Sequence, residues 1–170
     1  MKKALKLTLA VVCVMFSTSL FAQKFGRINT QEIITNMNEF KDAQTQIQDF
    51  AKDLDAQLET IQVEFNNKLQ EYQKAEGTMT EAVMQLKQKE LTDLQTRYEQ
   101  FQQVAAQDIQ KKQMELLEPI RKKAVDAINE VAKAGGYIVV FDMMGNSLAY
   151  IDESATTDIS GEVKAKLGVQ

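Results

Sequence analysis

The sequence predicts an α+β fold, mostly α: a long antiparallel coiled-coil hairpin arm carried on a small β-rich hub. Three observations point there. Between Asn29 and Ala134 the only helix breakers are Gly77 and Pro119. Apolar residues recur at steps of three and four on both sides of Gly77, and short β-branched, aromatic segments flank this stretch. With 170 residues, 44% of them hydrophobic and 26% charged, the chain has the composition of a folding polypeptide rather than a disordered one.

The first element is an address. Met1-Lys2-Lys3 is cationic, Leu5 to Phe16 is almost continuously apolar, and Ser17-Thr18-Ser19 leads to Phe21-Ala22-Gln23. This is the layout of a secretory signal peptide over 1–22, cleaved near Ala22/Gln23. The apolar run is short for a membrane anchor, which needs ~20 residues, and Lys6 interrupts it. Val12 stands before Cys13 where lipidation would need a small residue. Export removes Lys2, Lys3, Lys6 and Cys13, leaving 17 basic residues against 24 acidic ones, a net charge of −7 and no thiol. A soluble exported chain without disulfides holds together by packing or oligomerisation.

The composition also excludes chemistries. The chain has no His, so His-Cys zinc sites, Ser-His-Asp triads and Cys-His dyads are ruled out. Net acidity argues against nucleic acid, whose binding needs a basic face. No enzyme, no metal and no cofactor is expected.

The arm is predicted over 41–116, with its turn near 77. One apolar series runs Ile33, Met37, Phe40, Ile47, Ala51, Leu54, Leu58, Ile61, Phe65, Leu69, Tyr72. A second runs Val83, Leu86, Leu91, Leu94, Tyr98, Phe101, Ala105, Ile109. Such spacing puts a narrow stripe on a helix and asks for a partner helix. Matching Tyr72 with Val83, Leu69 with Leu86, Ile61 with Leu94, Leu58 with Tyr98 and Leu54 with Phe101 gives residue numbers that add to 155 or 156 each time, the signature of an antiparallel pair. Gly77 and Thr78 form the turn, with Gly77 as a left-handed cap and Thr78 or Thr80 capping the return helix. Glu64-Lys68, Asp93-Arg97, Asp108-Lys112 and Glu118-Lys122 are acid-before-base pairs four residues apart, each worth roughly 0.2–0.5 kcal/mol on a helix.

The hub is predicted from both chain ends, 23–40 and 117–170. Lys24–Asn29 and Gly136–Asp142 read as strands. Leu148–Asp152 reads as a third, joined to the second as a hairpin through a turn over 143–147. Gly135-Gly136 is a helix C-cap, Gly161–Leu167 a closing helix capped by Asp158 or Ser160, and Pro119 a kink or restart where the arm joins the hub. Three short strands leave exposed edges, so oligomerisation is expected.

At this point the chain resembles a known family. The signal peptide, FGRINTQEII, the Gln-rich hairpin, AINEVAKAGGYIVVFD, LAYID and DISGEVKAKL are similar to the Skp/OmpH family of periplasmic chaperones. The most specific part is Ala127 to Leu167, where Gly136-Tyr137, Asp142, Tyr150 and Asp158-Ile159-Ser160 recur in order. The resemblance implies a periplasmic homotrimer whose arms enclose a cavity. It would bind unfolded outer-membrane proteins without ATP and keep them from aggregating. The alternative is an envelope scaffold whose hairpin docks on a folded partner. The acidic balance departs from basic members of the family, so no lipopolysaccharide or membrane patch is carried over.

Candidate client contacts are Phe50 and Val104, off the main stripe, and Met79 and Met84, soft side chains near the turn. The plainer reading is that the first pair widens the seam near the hub, and that Met79 caps the hairpin's apolar end. Lys122-Lys123 is a basic patch or a solvated helix face. Phe25, Ile28, Ile138, Val140 and Tyr150 are candidates for the hub and subunit interface.

Overall fold

A computed structural model describes residues 23–145 and 148–169. The segment 1–22 expected to be a signal peptide, with Cys13, and the turn residues Asn146 and Ser147 lie outside the described residues. The elements are β1 (Lys24–Ile28), α1 (Thr30–Asn36), α2 (Asn38–Ala75), a 3-10 turn (Glu76–Thr78), α3 (Glu81–Gly135), β2 (Tyr137–Asp142), a second 3-10 turn (Glu153–Ala155), β3 (Thr157–Asp158) and α4 (Ser160–Leu167). The fold is thus mostly helical, with two long helices and one small sheet. Two compact units result, one built from the chain ends up to Ile33 and from Ala124, the other from Ile34 to Lys123.

In the terminal unit the sheet order is β2-β1-β3, and β1 pairs with both neighbours in parallel. Phe25 lies opposite Val139 and Ile28 opposite Asp142, while Arg27 lies opposite Asp158. Ile28, Ile33, Ala124, Ala127, Ile159 and Val163 are buried and form the core. These buried side chains come from β1, α1, the last turns of α3 and α4, with Ile159 just ahead of α4.

Two glycines make the entry to β2 possible. Gly136 has φ +71°, a left-handed conformation open to glycine, and its N–H bonds Lys133 O at 3.2 Å, closing the helix. Gly135 lies under the Tyr137 ring, where an added Cβ would collide with ring carbons. Helix capping then ties the sheet together. Asp142, at the end of β2, accepts the N–H of Thr30 at 3.1 Å, and Asn29 accepts that of Glu32 at 3.1 Å, so both carboxamide and carboxylate serve the start of α1.

The third predicted strand is corrected. Leu148–Asp152 is not a strand; the third strand is Thr157–Asp158. The physical reason is topology. A hairpin would place the third strand antiparallel beside β2, but the chain instead crosses to the far side of β1. A parallel crossover needs a connection of about a dozen residues, and residues 143–156 supply it. Arg27 fastens the end of that connection, donating to Glu153 O at 2.9 Å and to Thr156 O at 3.0 Å. Asp158 accepts the Ser160 N–H at 2.9 Å ahead of α4, and Gly168 at φ +70° closes it.

In the other unit α2 runs 38 residues, about 57 Å at 1.5 Å per residue. Cross-helix ion pairs show α3 returning antiparallel beside it: Lys87 with Glu71 at 3.9 Å, Lys68 with Glu90 at 3.0 Å, Arg97 with Glu64 at 3.8 Å, and Lys123 with Glu39. None of the four predicted acid-before-base pairs within a helix forms an ion pair. Two of the cations reach a carboxylate on the facing helix instead, Lys68 to Glu90 and Arg97 to Glu64, and Lys112 lies over the Phe50 ring.

Two further expectations change, and two that offered alternatives narrow. Gly77 sits in the 3-10 turn without positive φ, so no left-handed cap is used. Thr80 caps the return helix, its hydroxyl accepting from Val83 N at 3.5 Å and its carbonyl from Met84 N at 2.9 Å. Pro119 lies inside α3, which runs through it without restarting. Finally, Val83 and Leu86 are exposed, Leu86 at 57%. Stepping back from buried Leu94 by threes and fours reaches Leu91, Lys87 and Met84, so near the turn the seam passes through Lys87 rather than Leu86.

Candidate functional site

Two helices side by side bury only a strip. In this unit Met37, Ala43, Leu54, Ile61, Leu94, Ala105 and Ile120 are buried, and most other stripe residues are half-buried. Ala43 belongs to the seam although the predicted series stepped from Phe40 to Ile47 over it. The signal was present, because 40, 43 and 47 are steps of three and four, but alanine reads weakly as apolar.

Apolar side chains left outside this strip are candidate contacts for a partner. Val63 is 50% exposed and Val104 51%, and Met114 and Val83 are exposed as well. Met79 and Met84 are half-buried beside the turn. Phe50 is half-buried under the Lys112 ammonium, 6.0 Å from the ring centroid, a spacing at which a cation is attracted to the ring face. Gly77 and Thr78 occupy the turn itself, where the Thr78 hydroxyl donates to Ala75 O at 2.9 Å.

Midway along the helices the strip opens. A cavity of about 300 Å³ is lined by Ile61, Gln62, Phe65, Leu94, Gln95 and Tyr98. A second recess of about 480 Å³ shares Gln62 and Tyr98 with it and adds Leu58, Val63, Asn66, Asp55 and Glu59. Sequence reasoning missed this feature. Its signal was Val63, an apolar residue off the stripe, next to a run of α2 that lacks cations.

Several polar groups elsewhere in the unit are paired. The Lys68 ammonium, hydrogen-bonded to Glu90, holds that carboxyl below its ordinary range, and Glu90 in turn raises Lys68. The Lys123 hydrogen bond lowers Glu39 in the same way. Tyr72 accepts a bond from the Gln88 amide at 2.8 Å. Among the described residues no group of three or more His, Cys, Asp or Glu side chains could hold a metal ion. No described helix is long and apolar enough to cross a membrane.

In the terminal unit the candidate hub residues separate into two sets. Ile28 is buried, Phe25 and Val140 are half-buried, and Phe25 stacks on Phe141 with centroids 6.1 Å apart. Ile138 is 56% exposed and Tyr150 83%, with Val139, Met144 and Leu148 also exposed. Ile138 and Val139 lie on β2, one of the sheet's two outer strands, and successive residues of a strand face opposite sides. Both faces of that edge are therefore apolar and uncovered within one chain.

Residues 24–167 match the profile of a family described as outer membrane protein (OmpH-like). The chain is 27% identical over 150 residues to the Chaperone protein Skp of Yersinia enterocolitica, covering 87% of this chain and 90% of that one. It is 26% identical over 121 residues to the Chaperone protein Skp of Vibrio cholerae, covering 71% and 72%. A solved structure described as a putative outer membrane chaperone (OmpH-like) from Caulobacter crescentus superposes with a TM-score of 0.74 at 12% identity, over 85% of this chain and 83% of that one. That likeness is one of fold. The named relatives support a chaperone role.

Proposed function

This chain belongs to the OmpH-like family, and from that premise we propose that it is an ATP-independent periplasmic holdase. It binds unfolded outer-membrane proteins between helical arms of a homotrimer and prevents their aggregation before membrane assembly. The observation that carries this reading is the thin two-helix seam, which leaves Val63, Val83, Leu86, Val104 and Met114 exposed along the helices. A client with alternating apolar residues and unpaired strand edges is held best by many weak, adaptable contacts. Arms joined at one hub supply these multivalently.

In this reading 41–116 form a coiled-coil arm, 23–40 and 117–170 form the hub, and a signal peptide cleaved near Ala22 directs export. The exposed apolar edge at Ile138 and Val139 supports subunit association there, since such an edge invites pairing. Phe50, Val104, Met79 and Met84 are proposed client contacts. Phe25, Ile28, Ile138, Val140 and Tyr150 are proposed for the hub and its subunit interface.

The test is dilution of a urea-unfolded outer-membrane barrel protein into buffer containing the purified mature chain. The expected result is suppressed light scattering at a molar excess of trimer, without nucleotide. Undiminished aggregation, together with a stable stoichiometric complex with a folded envelope protein, would establish the scaffold alternative instead.

A further inference from the structure

We propose that the mid-arm trough on α2 selects polypeptide segments in which a large apolar side chain, aromatic above all, lies beside a Lys or Arg. The inference rests on the holdase reading and names what one part of that surface recognises. Tyr98 and Gln62 line both recesses, so the two form one continuous trough along α2. Its first part is walled by Ile61, Phe65 and Leu94, and its 300 Å³ is at the small end of the range for ligand pockets, about 300–1,000 Å³. That volume suits one bulky side chain rather than a folded surface.

The second part is acidic. Asp55 and Glu59 stand one helical turn apart on its rim, both exposed and neither in an ion pair. From Asp53 to Asn67 α2 carries four carboxylates and no Lys or Arg, and only Glu64 among the four is met by a cation, Arg97. Nearer the turn, by contrast, Glu71 meets Lys87 and Glu90 meets Lys68 across the helices, whereas the facing stretch of α3 from Tyr98 to Gln110 holds Glu99 and Asp108 and no Lys or Arg. The rim is thus an uncompensated negative charge beside an apolar recess. Half-exposed Val63 borders the recess with Leu58 and extends the apolar floor to the acidic end.

Charge complementarity selects the occupant. An anionic lipid surface or an acidic peptide is repelled from such a rim. A cation beside an aromatic group places its charge at Asp55 and Glu59 while its neighbour fills the recess under Tyr98. Gln62 and Gln95 donate their amide N–H groups to Asn66 at 3.3 Å and Glu99 at 3.2 Å, which leaves their amide oxygens as acceptors for a bound segment's N–H groups.

The experiment is fluorescence anisotropy on the full exported protein at low salt, with three labelled unstructured peptides. One has Phe flanked by Lys, the second has Glu in place of Lys, and the third has Ser in place of Phe. The first is expected to bind tightest. D55N/E59Q is expected to weaken it about fivefold, as for two solvent-exposed charge contacts, to weaken the Ser peptide, which keeps its Lys, by a similar factor, and to close the gap between the Lys and Glu peptides. Val63→Asn, on the exposed floor and so tolerated by the fold, is expected to weaken the Phe peptide about threefold. Asp108→Asn, an acid outside the trough, controls for net charge. Equal affinity for the Lys and Glu peptides, or no response to D55N/E59Q with helicity intact by circular dichroism, overturns the inference. Barrel-aggregation assays on the same samples separate the two readings. A protein that selects the Lys-Phe peptide but leaves the barrel to aggregate keeps the trough and loses the holdase; the reverse result does the opposite.

Discussion

Single residues decide how the chain enters and leaves its sheet. Gly135 and Gly136 do different jobs there. Gly136 supplies a left-handed φ that closes α3, and Gly135 supplies the space occupied by the Tyr137 ring. That ring is also the platform for Lys24, whose ammonium lies 5.3 Å from the centroid and donates to Gly135 O at 3.1 Å. Gly135→Ala forces the ring to move and disturbs that contact, and overpacking of this kind costs typically about 1–3 kcal/mol. The expected outcome is a lower urea midpoint with unchanged slope, measured by circular dichroism. The need for glycine at a helix-to-strand junction was legible in Gly135-Gly136. Which of the two answered to sterics and which to φ was not, because that depends on where the Tyr137 ring settles.

At the scale of elements, the hairpin's periodicity was readable but its phase near the turn was not. The predicted series made a step of five, from Leu86 to Leu91, where a seam takes threes and fours. Leu86 attracted the assignment because it is apolar. In the structure Lys87 takes the seam position, half-buried, with its ammonium reaching Glu71 on the facing helix and Glu90 on its own. Alanine substitution separates the two phases. Leu54→Ala, at a residue 8% exposed, is expected to cost about 2–4 kcal/mol, whereas Leu86→Ala stays within about 0.5 kcal/mol. Thermal unfolding monitored at a helical wavelength reads both. The mid-arm trough was hidden for a related reason: a recess is a failure of two helices to fill the space between them, and neither helix records it alone. Its acidic rim, by contrast, is visible as the cation-free run from Asp53 to Asn67.

For the whole molecule, the sheet's outer edge carries the consequence. β2 exposes Ile138 and Val139 on its two faces, with Tyr150, Met144 and Leu148 nearby in sequence. A small sheet with such an edge is a poor end state in water, and association that covers it makes stability depend on concentration. Under the proposed trimer, light scattering at micromolar concentration gives the mass of three chains. Ile138→Asp is expected to yield monomers with a lower unfolding temperature, and a monomer mass for the unaltered protein would remove the trimeric cage. By itself the sequence determined that there are two long helices, that a turn near Gly77 folds them back, that strands come from the chain ends, and that no His is present for a His-Cys zinc site or a Ser-His-Asp triad. These follow from local periodicity, breaker placement and composition, which act within a few residues. Only the tertiary structure decided that β1 takes parallel partners on both sides, that Thr157-Asp158 rather than LAYID supplies the third strand, and that the seam passes through Lys87. Each of those is a competition between segments distant in the chain for the same edge or groove. Its outcome depends on connection length, facing side chains and the volume left between them, quantities that no stretch of sequence carries alone.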